Sequence, residues 1–313
     1  MFQKYKYVLA VYREQSFTAA AAKLFISQPS LSVAIRNIEK ELGAPLFERS
    51  GSGVRLTEIG KAYIAAARKM QLAEDEFEKK CLDINELQTG TLVVGCSNYL
   101  ASYVLPKIIT LFRSRFPNVE ITLVEANSIR LREMLHNEEV DMIIDNLEDE
   151  ESVCEKYPLA KEQIFLCVPA DRAINRELVQ YQLLPEVIYD GTAVDVPAVQ
   201  LSSFAKESFI LLKQGNDMHR RAMEIFAENN LDADVIFQVD QLNISYALAE
   251  SGVGCCFVTD TLFKYKQHAE NVILYCLDTT RANRMLYVVH NKNKYCTRAM
   301  AEFIKTAQEI IKS

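Results

Sequence analysis

The stretch that decides the fold covers residues 27–43 and reads SQPSLSVAIRNIEKELG. Its first residue, Ser27, is of a type preferred at helix N-caps, and Pro29 falls in the first helical turn, where a missing N–H is tolerated. Apolar residues then recur at helical spacing, as on the buried side of an amphipathic helix. They are Leu31, Ile35, Ile38 and Leu42. The stretch predicts a helix with one buried apolar stripe and a polar face opposite to it.

The polar face of this helix carries side chains of the types that read DNA. Gln can bond adenine through two hydrogen bonds, Arg and Lys can reach guanine or phosphate, and Val suits a thymine methyl group. The residues that we predict to contact DNA are Ser27, Gln28, Pro29, Ser30, Ser32, Val33, Arg36 and Lys40.

The flanking segments complete a small DNA-binding module. Residues 2–14 have the apolar spacing of a helix, and Thr18 is expected to cap a second, short helix. Residues 46–57 alternate around a Ser/Gly turn and predict a hairpin. Arg49 and Arg55 flank its tip, where a wing would meet the DNA backbone or minor groove. The order of these elements predicts a winged helix-turn-helix.

Four motifs resemble the N-terminal module of LysR-type transcriptional regulators. They are SFTAAA at 16–21, SQPSLS at 27–32, IEKELGAPLFER at 38–49 and LTEIG at 56–60. The resemblance implies a sequence-specific transcriptional regulator whose DNA-binding domain occupies residues 1–58. It departs from the family at Val33 and Ala34, where larger polar residues are common. Without the wing and these motifs, a three-helix protein-interaction module would be the alternative.

Charge is distributed unevenly along the chain. The net charge is −7, but residues 1–70 hold 11 Lys+Arg against 5 Asp+Glu, a balance of +6, while residues 71–90 contribute −4 and the rest −9. Because residues 1–70 are basic and the rest of the chain is acidic, we expect only residues 1–70 to contact phosphate groups. No run approaches the roughly 18 apolar residues of a membrane span. We therefore expect a cytoplasmic protein that makes no membrane contact.

Residues 59–89 predict a linker helix that joins two copies of the chain. Apolar residues recur at close to coiled-coil spacing, and no second stripe is evident. These are Ile59, Ala62, Ala66, Met70, Ala73, Phe77, Cys81, Ile84 and Leu87. A homodimer would place two recognition helices on an interrupted inverted repeat of double-stranded DNA. The family resemblance further implies a homotetramer, and a helix packed only on its own domain is the alternative.

Residues 90–313 alternate between strands and helices and predict two α/β lobes. We expect a parallel sheet first, with a helix over 101–116, then strands near 164–168, 187–189, 209–212, 235–238 and 254–258. Strands at Val272–Cys276 and 285–290 and a helix over 297–312 are expected to return to the first lobe. This gives lobe I at about 90–162 and 266–313, and lobe II at about 163–265.

This second part resembles the effector-binding domain of LysR-type regulators, a relative of bacterial solute-binding proteins. The matching landmarks are Gly95-Cys96-Ser97, Leu105-Pro106, Phe116-Pro117, Val140-Asp141, Phe209–Leu212 and Gly252-Val253-Gly254. The implied fold class is α/β, with a mainly helical head followed by two lobes of the periplasmic-binding-protein-like type. Residues 171–198 are longer than is usual for the family.

Three polar loops at strand ends predict an effector site between the lobes. In such folds ligands bind where strands end and helices begin, and helix N-termini favour anions. The residues selected are Ser97, Asn98, Tyr99, Asn127, Ser128, Lys213, Gln214 and Asn216. We expect them to bind a small effector, an anion such as a carboxylate. Ordinary helix capping is the alternative for each residue singly.

Other functions find less support in the sequence. No catalytic, nucleotide-binding or zinc motif occurs, so we predict no enzyme activity, no cofactor and no metal. A thiol-sensing regulator of the same fold is an alternative, for which Cys96 beside the predicted site is the main candidate, while Cys255-Cys256 fits buried thiols better. A small-molecule-binding protein without DNA function is a further alternative from a different class.

Overall fold

The computed structural model describes residues 4–50, 53–84, 90–146, 153–183, 188, 196–265 and 271–312. The chain divides into two compact parts, Met1–Ile84 and Asn85–Ser313, which we term the N-terminal unit and the C-terminal unit. Across the described residues, no helix combines the length and hydropathy that crossing a bilayer requires.

The N-terminal unit consists of helices and one hairpin around a small core. Its elements are α1 (Lys4–Glu14), α2 (Phe17–Lys23), α3 (Gln28–Leu42), β1 (Phe47–Ser50), β2 (Gly53–Leu56) and α4 (Glu58–Ile84). Buried side chains from α1, α3, α4 and the residue just before the hairpin form the core, including those of Val8, Leu31, Ile35, Leu46 and Ile64. This order of elements confirms the predicted winged helix-turn-helix.

The recognition helix α3 has the predicted start, but its buried stripe is one residue shorter. Ser27 Oγ accepts the N–H of Ser30 at 3.2 Å, as an N-cap should. The prediction that Leu42 is buried is wrong, because this last helical residue is 47% exposed where the chain turns at Gly43. The Thr18 cap is also wrong, since α2 starts two residues earlier, at Phe17, and Ser16 Oγ accepts the N–H of Ala19.

Contacts between motif residues fix the hairpin on α3. Glu39 Oε1 accepts the N–H of Leu46 at 2.8 Å. Thr57 Oγ1 donates to the carbonyl of Pro45 at 2.7 Å and accepts the N–H of Gly60 at 2.9 Å. A Cβ at Gly60 would lie 2.1 Å from the carbonyl oxygen of Leu46, so only glycine fits this approach. The motif thus encodes the placement of the wing.

Helix α4 has two apolar faces, so the expectation of a single stripe is wrong. Ile64 and Ala67 are buried in the core of the N-terminal unit, because α1 packs against the first half of α4. The predicted stripe lies on another face, where Ile59, Met70 and Phe77 are 47%, 48% and 66% exposed. Residues 85–89, the end of the predicted linker helix, lie outside the described residues.

The C-terminal unit contains two sheets that share one long strand. The strands are β3 (Gly90–Cys96), β4 (Val119–Glu125), β5 (Met142–Asp145), β6 (Cys154–Pro169), β7 (Gln182–Leu183), β8 (Ser208–Leu212), β9 (Asp234–Val239), β10 (Cys255–Thr259), β11 (Val272–Cys276) and β12 (Asn283–Asn291). Lobe I has the order β4-β3-β5-β12-β6. Lobe II uses the second half of β6, which pairs with β10-β8-β9 on one side and with β11-β7 on the other.

Helices cover these sheets and begin at the ends of the strands. They are α5 (Asn98–Tyr103), α6 (Leu105–Arg115), α7 (Ser128–His136), α8 (Ile174–Glu177), α9 (Asp217–Glu228), α10 (Leu242–Glu250), α11 (Asp260–Tyr265) and α12 (Arg298–Lys312), with short 3₁₀ turns at Val179–Tyr181, Leu201–Phe204 and Thr280–Ala282. The structure thus confirms two α/β lobes.

Three predictions about these lobes need correction. The lobe I sheet is mixed and not parallel, because β12 runs antiparallel to β5 and β6. Val272–Cys276 joins lobe II and not lobe I, because it fills the edge of β6 opposite β10. The single helix over 101–116 is split at Val104, since Pro106 cannot donate a hydrogen bond to the preceding turn.

One predicted strand lies mainly outside the described residues, and one predicted loop feature lies partly outside them. Val187 and Tyr189 of the predicted 187–189 strand are not among them, and neither are 184–186 and 190–195 of the longer 171–198 stretch.

Candidate functional site

The first candidate site is the outward face of α3. Six of the eight side chains predicted to contact DNA are exposed, and Gln28 and Ser32 are half-buried. Gln28 Nε2 donates to Ser32 Oγ at 2.8 Å, which orients the amide along the helix. The core residues Leu31, Ile35 and Ile38 hold the opposite face. The structure therefore brings the eight residues together on one accessible surface.

The hairpin beside α3 forms the wing. Its strands pair antiparallel, with Glu48 opposite Arg55 and Arg49 opposite Val54. The side chain of Arg55 is exposed. The side chain of Arg49 is outside the described part of the structure, so its predicted DNA contact stays a prediction.

The second candidate site is a cleft between the two lobes of the C-terminal unit. We term it the effector cleft and give it a volume of about 320 Å³, at the small end for a ligand site. Its lining residues are Ser97, Asn98, Tyr99, Leu100, Glu125, Ala126, Asn127, Ser128, Asp145, Asn146, Leu212, Lys213, Gln214, Asn216, Asp217, Met218, Asp240, Gln241, Leu242, Arg284 and Leu286.

All eight residues predicted to bind an effector line this cleft. Ser97 precedes α5, Asn127 precedes α7 and Asn216 precedes α9, so three helices begin at the cleft. Only Asn127 makes a side-chain cap among these three, by accepting the N–H of Arg130. The lobes touch at one rim, where the N–H of Ile129 donates to the carbonyl of Gly215 at 3.3 Å. Asn127 therefore caps its helix and also lines the cleft.

The floor of the cleft is a buried ionic network between the lobes. Arg284 on β12 donates from Nε to Glu162 Oε2 at 2.8 Å, from Nη1 to Asp217 Oδ2 at 2.9 Å and from Nη2 to the Tyr99 hydroxyl at 2.8 Å. Arg221 Nε donates to the same Asp217 oxygen at 2.8 Å. One arginine thus ties lobe I strands to the start of α9 in lobe II.

The charges in this network determine the ionisation of Asp217. Burial alone would raise the pKa of its carboxyl group, but Arg284, Arg221 and Arg220 outweigh burial and lower this pKa to about 2. The carboxylate therefore stays ionised at neutral pH. For the Tyr99 hydroxyl, burial is the largest effect and raises the pKa well above its usual value.

Sequence reasoning missed several charged residues of the cleft. Asp145 directly follows the apolar run of β5, so the strand-end rule that selected the other loops also applies to it. Glu125 ends β4 in the same way. Arg284 gave no such signal, because it lies within β12 and reaches the cleft only through the pairing of β12 with β6.

Cys96 does not have the properties of a reactive thiol. It is fully buried, and burial together with the carboxylates of Glu125 and Asp145 raises its pKa to about 12. Burial also raises the pKa of Cys255 and Cys167. These values count against the thiol-sensing alternative, since the thiolate is the reactive form. Among the described residues, no cluster of three or more His, Cys, Asp or Glu side chains could hold a metal ion.

Comparison with known families covers both units. Residues 2–61 match the bacterial regulatory helix-turn-helix protein, lysR family, and residues 85–311 match the LysR substrate binding domain. The chain belongs to the LysR family. It is a LysR-type transcriptional regulator that has an effector-binding domain and a DNA-binding helix-turn-helix.

Relatives match over nearly the full chain. The uncharacterized HTH-type transcriptional regulator YcgK of Bacillus subtilis (strain 168) is 28% identical, over 98% of this chain and 94% of the relative. A probable RuBisCO transcriptional regulator of Synechocystis sp. is 27% identical, over 95% of this chain and 82% of the relative.

Solved structures show the same fold at lower identity. A full-length OxyR variant from Pseudomonas aeruginosa has a TM-score of 0.67 and 22% identity, and 98% of this chain aligns with 97% of that chain. CbnR, a LysR family transcriptional regulator, has a TM-score of 0.64 and 17% identity, with 100% of each chain covered.

Proposed function

We propose that this regulator reads double-stranded DNA with the exposed face of α3. The observation that carries the proposal is the accessibility of the whole predicted face beside the wing. Arg36 and Lys40 are exposed there, and Gln28 has one amide N–H and its carbonyl available for a base. Arg36, Gln28 and Ser32 are assigned to bases, while Lys40, Arg49 and Arg55 are assigned to phosphates.

A homodimer joined along α4 accounts for the open stripe on that helix. Ile59, Met70 and Phe77 lie exposed on one face of α4. The first half of α4 packs on the core of its own unit with a different face. A second copy of the helix would cover these side chains in a coiled coil. Two α3 helices would then read an interrupted inverted repeat, and paired dimers would bind it as a homotetramer.

A small effector controls this DNA binding by changing how the lobes close. The effector cleft lies between them, and its residues come from both lobes. A ligand shifts an equilibrium only when its affinity differs between the two states. A ligand that contacts both walls of the cleft binds the open and the closed arrangement of the lobes with different affinity. We assign effector contacts to Ser97, Asn98, Tyr99, Asn127, Ser128, Lys213, Gln214 and Asn216, and place the protein in the cytoplasm without catalytic activity.

DNA binding is tested by fluorescence anisotropy with duplex fragments from upstream of the protein's own gene. Replacing Arg36 or Gln28 with Ala should cost about 1–3 kcal/mol of binding free energy, or roughly fivefold to 150-fold in Kd. Arg113→Ala, an exposed arginine of the C-terminal unit, is the matched control and should change nothing. Equal Kd values for all four proteins would refute the assigned face, and no binding by any of them would refute DNA recognition.

A further inference from the structure

The effector cleft carries more negative than positive side chains. Four carboxylates line it, those of Glu125, Asp145, Asp217 and Asp240, against the two cations Lys213 and Arg284. Both cations are already paired within the described residues. Lys213 Nζ lies 2.7 Å from Asp240 Oδ2, and Arg284 forms ion pairs with Asp217 and with the buried Glu162.

The remaining two carboxylates are bonded by neutral groups. Asn98 Nδ2 donates to Glu125 Oε2 at 2.8 Å, and Ser128 Oγ donates to Asp145 Oδ1 at 3.2 Å. Burial raises the pKa of Asp145 and the charge of Asp217 adds to this effect, while the backbone N–H of Asn146 and the charges of Arg132 and Arg284 act against it. The cleft therefore has an excess of acceptors over charged donors.

The helix N-termini at the cleft are already supplied with carboxylates from the chain. Glu125 and Asp145 bond side chains at the starts of α5 and α7, Asp217 is the first residue of α9, and Asp240 lies just before α10. The positive end of a helix dipole attracts an anion, and each of these helix N-termini already has a carboxylate of the chain beside it. The helix dipoles therefore give no reason to expect an anionic effector in this cleft.

Asp145 supplies the most specific indication of what binds. Asp145 is 5% exposed, and among the described residues its Oδ2 atom has no hydrogen-bond partner. Within the same part of the chain, the buried hydroxyl oxygen of Ser97 has none either. The two residues follow directly on Cys96 and Ile144, which are paired in β3 and β5, so they lie side by side at the sheet edge. An ionised carboxylate accepts hydrogen bonds only, so the missing partner is a donor.

Apolar side chains form the wall of lobe II across the cleft. Leu212, Met218 and Leu242 line it and are almost fully buried. Such a wall suits a carbon skeleton and does not suit a hydrated inorganic ion.

We infer that the effector is an organic cation, whose ammonium or guanidinium group bonds Asp145 and Ser97 while its carbon chain packs on Leu212, Met218 and Leu242. The inference rests on the proposed role of the cleft as the effector site and replaces the anion expected from the sequence. Glu125, an exposed residue at the end of β4, adds negative charge to the cleft.

The test is isothermal titration calorimetry on the full-length protein without DNA, at physiological salt. The probes are putrescine, agmatine and L-ornithine, set against succinate, glutarate and magnesium chloride. We expect saturable binding of at least one amine and none of the dicarboxylates or Mg²⁺. Asp145→Asn, which keeps the shape but removes the charge, should weaken amine binding by roughly tenfold to a hundredfold. Glu125→Gln should weaken it by less.

Asp232→Asn is the matched control, since Asp232 is an exposed carboxylate of a loop away from the cleft, and it should leave amine binding unchanged. Circular dichroism checks that each variant is folded. Equal amine affinity in the Asp145 and Asp232 variants would overturn the inference, as would failure of all three amines. Binding of a dicarboxylate that depends on Lys213 would overturn the charge assignment but leave the effector cleft and the DNA-binding proposal intact.

Discussion

The two candidate sites of this protein are built in opposite ways. The α3 face comes from one continuous helix, and most of its polar side chains point to solvent with few internal partners. The effector cleft combines segments from at least five places in the chain, and its charged groups are largely paired with one another. A local pattern therefore specifies the first site, while the second depends on tertiary packing for both its shape and its charge.

This contrast predicts very different costs for removing an arginine from each site. Arg284→Met should destabilise the C-terminal unit by about 3–5 kcal/mol, because it leaves the carboxylate of Glu162 buried without its cation. Arg36→Ala on the exposed face should change stability by no more than about 0.5 kcal/mol. Urea unfolding of the full chain, followed by circular dichroism, measures both.

A double variant tells a lost ion pair from lost packing. Combining Arg284→Met with Glu162→Gln should recover part of the lost stability, because the unpaired charge is removed. If the single Arg284 variant is as stable as the wild type, the buried network contributes nothing and the contrast between the sites fails.

The pH dependence of stability should reveal the same network. The pKa of Asp217 is about 2 in the folded chain, below its ordinary 3.8. Its contribution to stability is therefore fully present above pH 4 and is lost as the pH falls through about 2. The shift corresponds to about 2 kcal/mol. Urea unfolding between pH 2 and pH 5 should show this loss.

Two variants assign the effect by its sign. Asp217→Asn should flatten the pH dependence, because the group that gains a proton on unfolding in acid is gone. Asp145→Asn should steepen it, since burial raises the pKa of Asp145 and its own contribution grows as the pH falls. A dependence that is the same in all three proteins would contradict the assignment.

The smallest expected effect concerns Cys96. With a pKa of about 12, roughly one thiol in ten thousand is ionised at pH 8. Iodoacetamide should leave Cys96 unmodified in the native protein over hours, as shown by mass spectrometry of its tryptic peptide. Labelling in urea is the positive control. Rapid native labelling, with loss of DNA binding, would restore the thiol-sensing alternative.

The sequence predicted the local features of the molecule well and the long-range pairing less well. Capping at Ser27, the stripe on α3 and the hairpin follow from neighbouring residues. The strand-end rule also located eight residues that meet in one cleft. It could not show that β11 joins lobe II, because strand pairing is not encoded in a short segment. Arg284 was missed for the same reason, since its ion pairs join residues far apart in the chain, whereas Glu125 and Asp145 stand at strand ends to which the same rule applies.

The shared strand β6 has a mechanical consequence. It passes from one lobe to the other between Gln163 and Ile164, and Asn283 at the start of β12 is paired directly beside Gln163. The chain therefore crosses between the lobes twice, in two adjacent strands that are hydrogen-bonded to each other. The lobes can bend about these crossings, but a free rotation of one lobe against the other would break the hydrogen bonds between the two strands. Arg284 and Glu162 are the next pair along this ladder, so a change in the angle between the lobes would act directly on their ion pair.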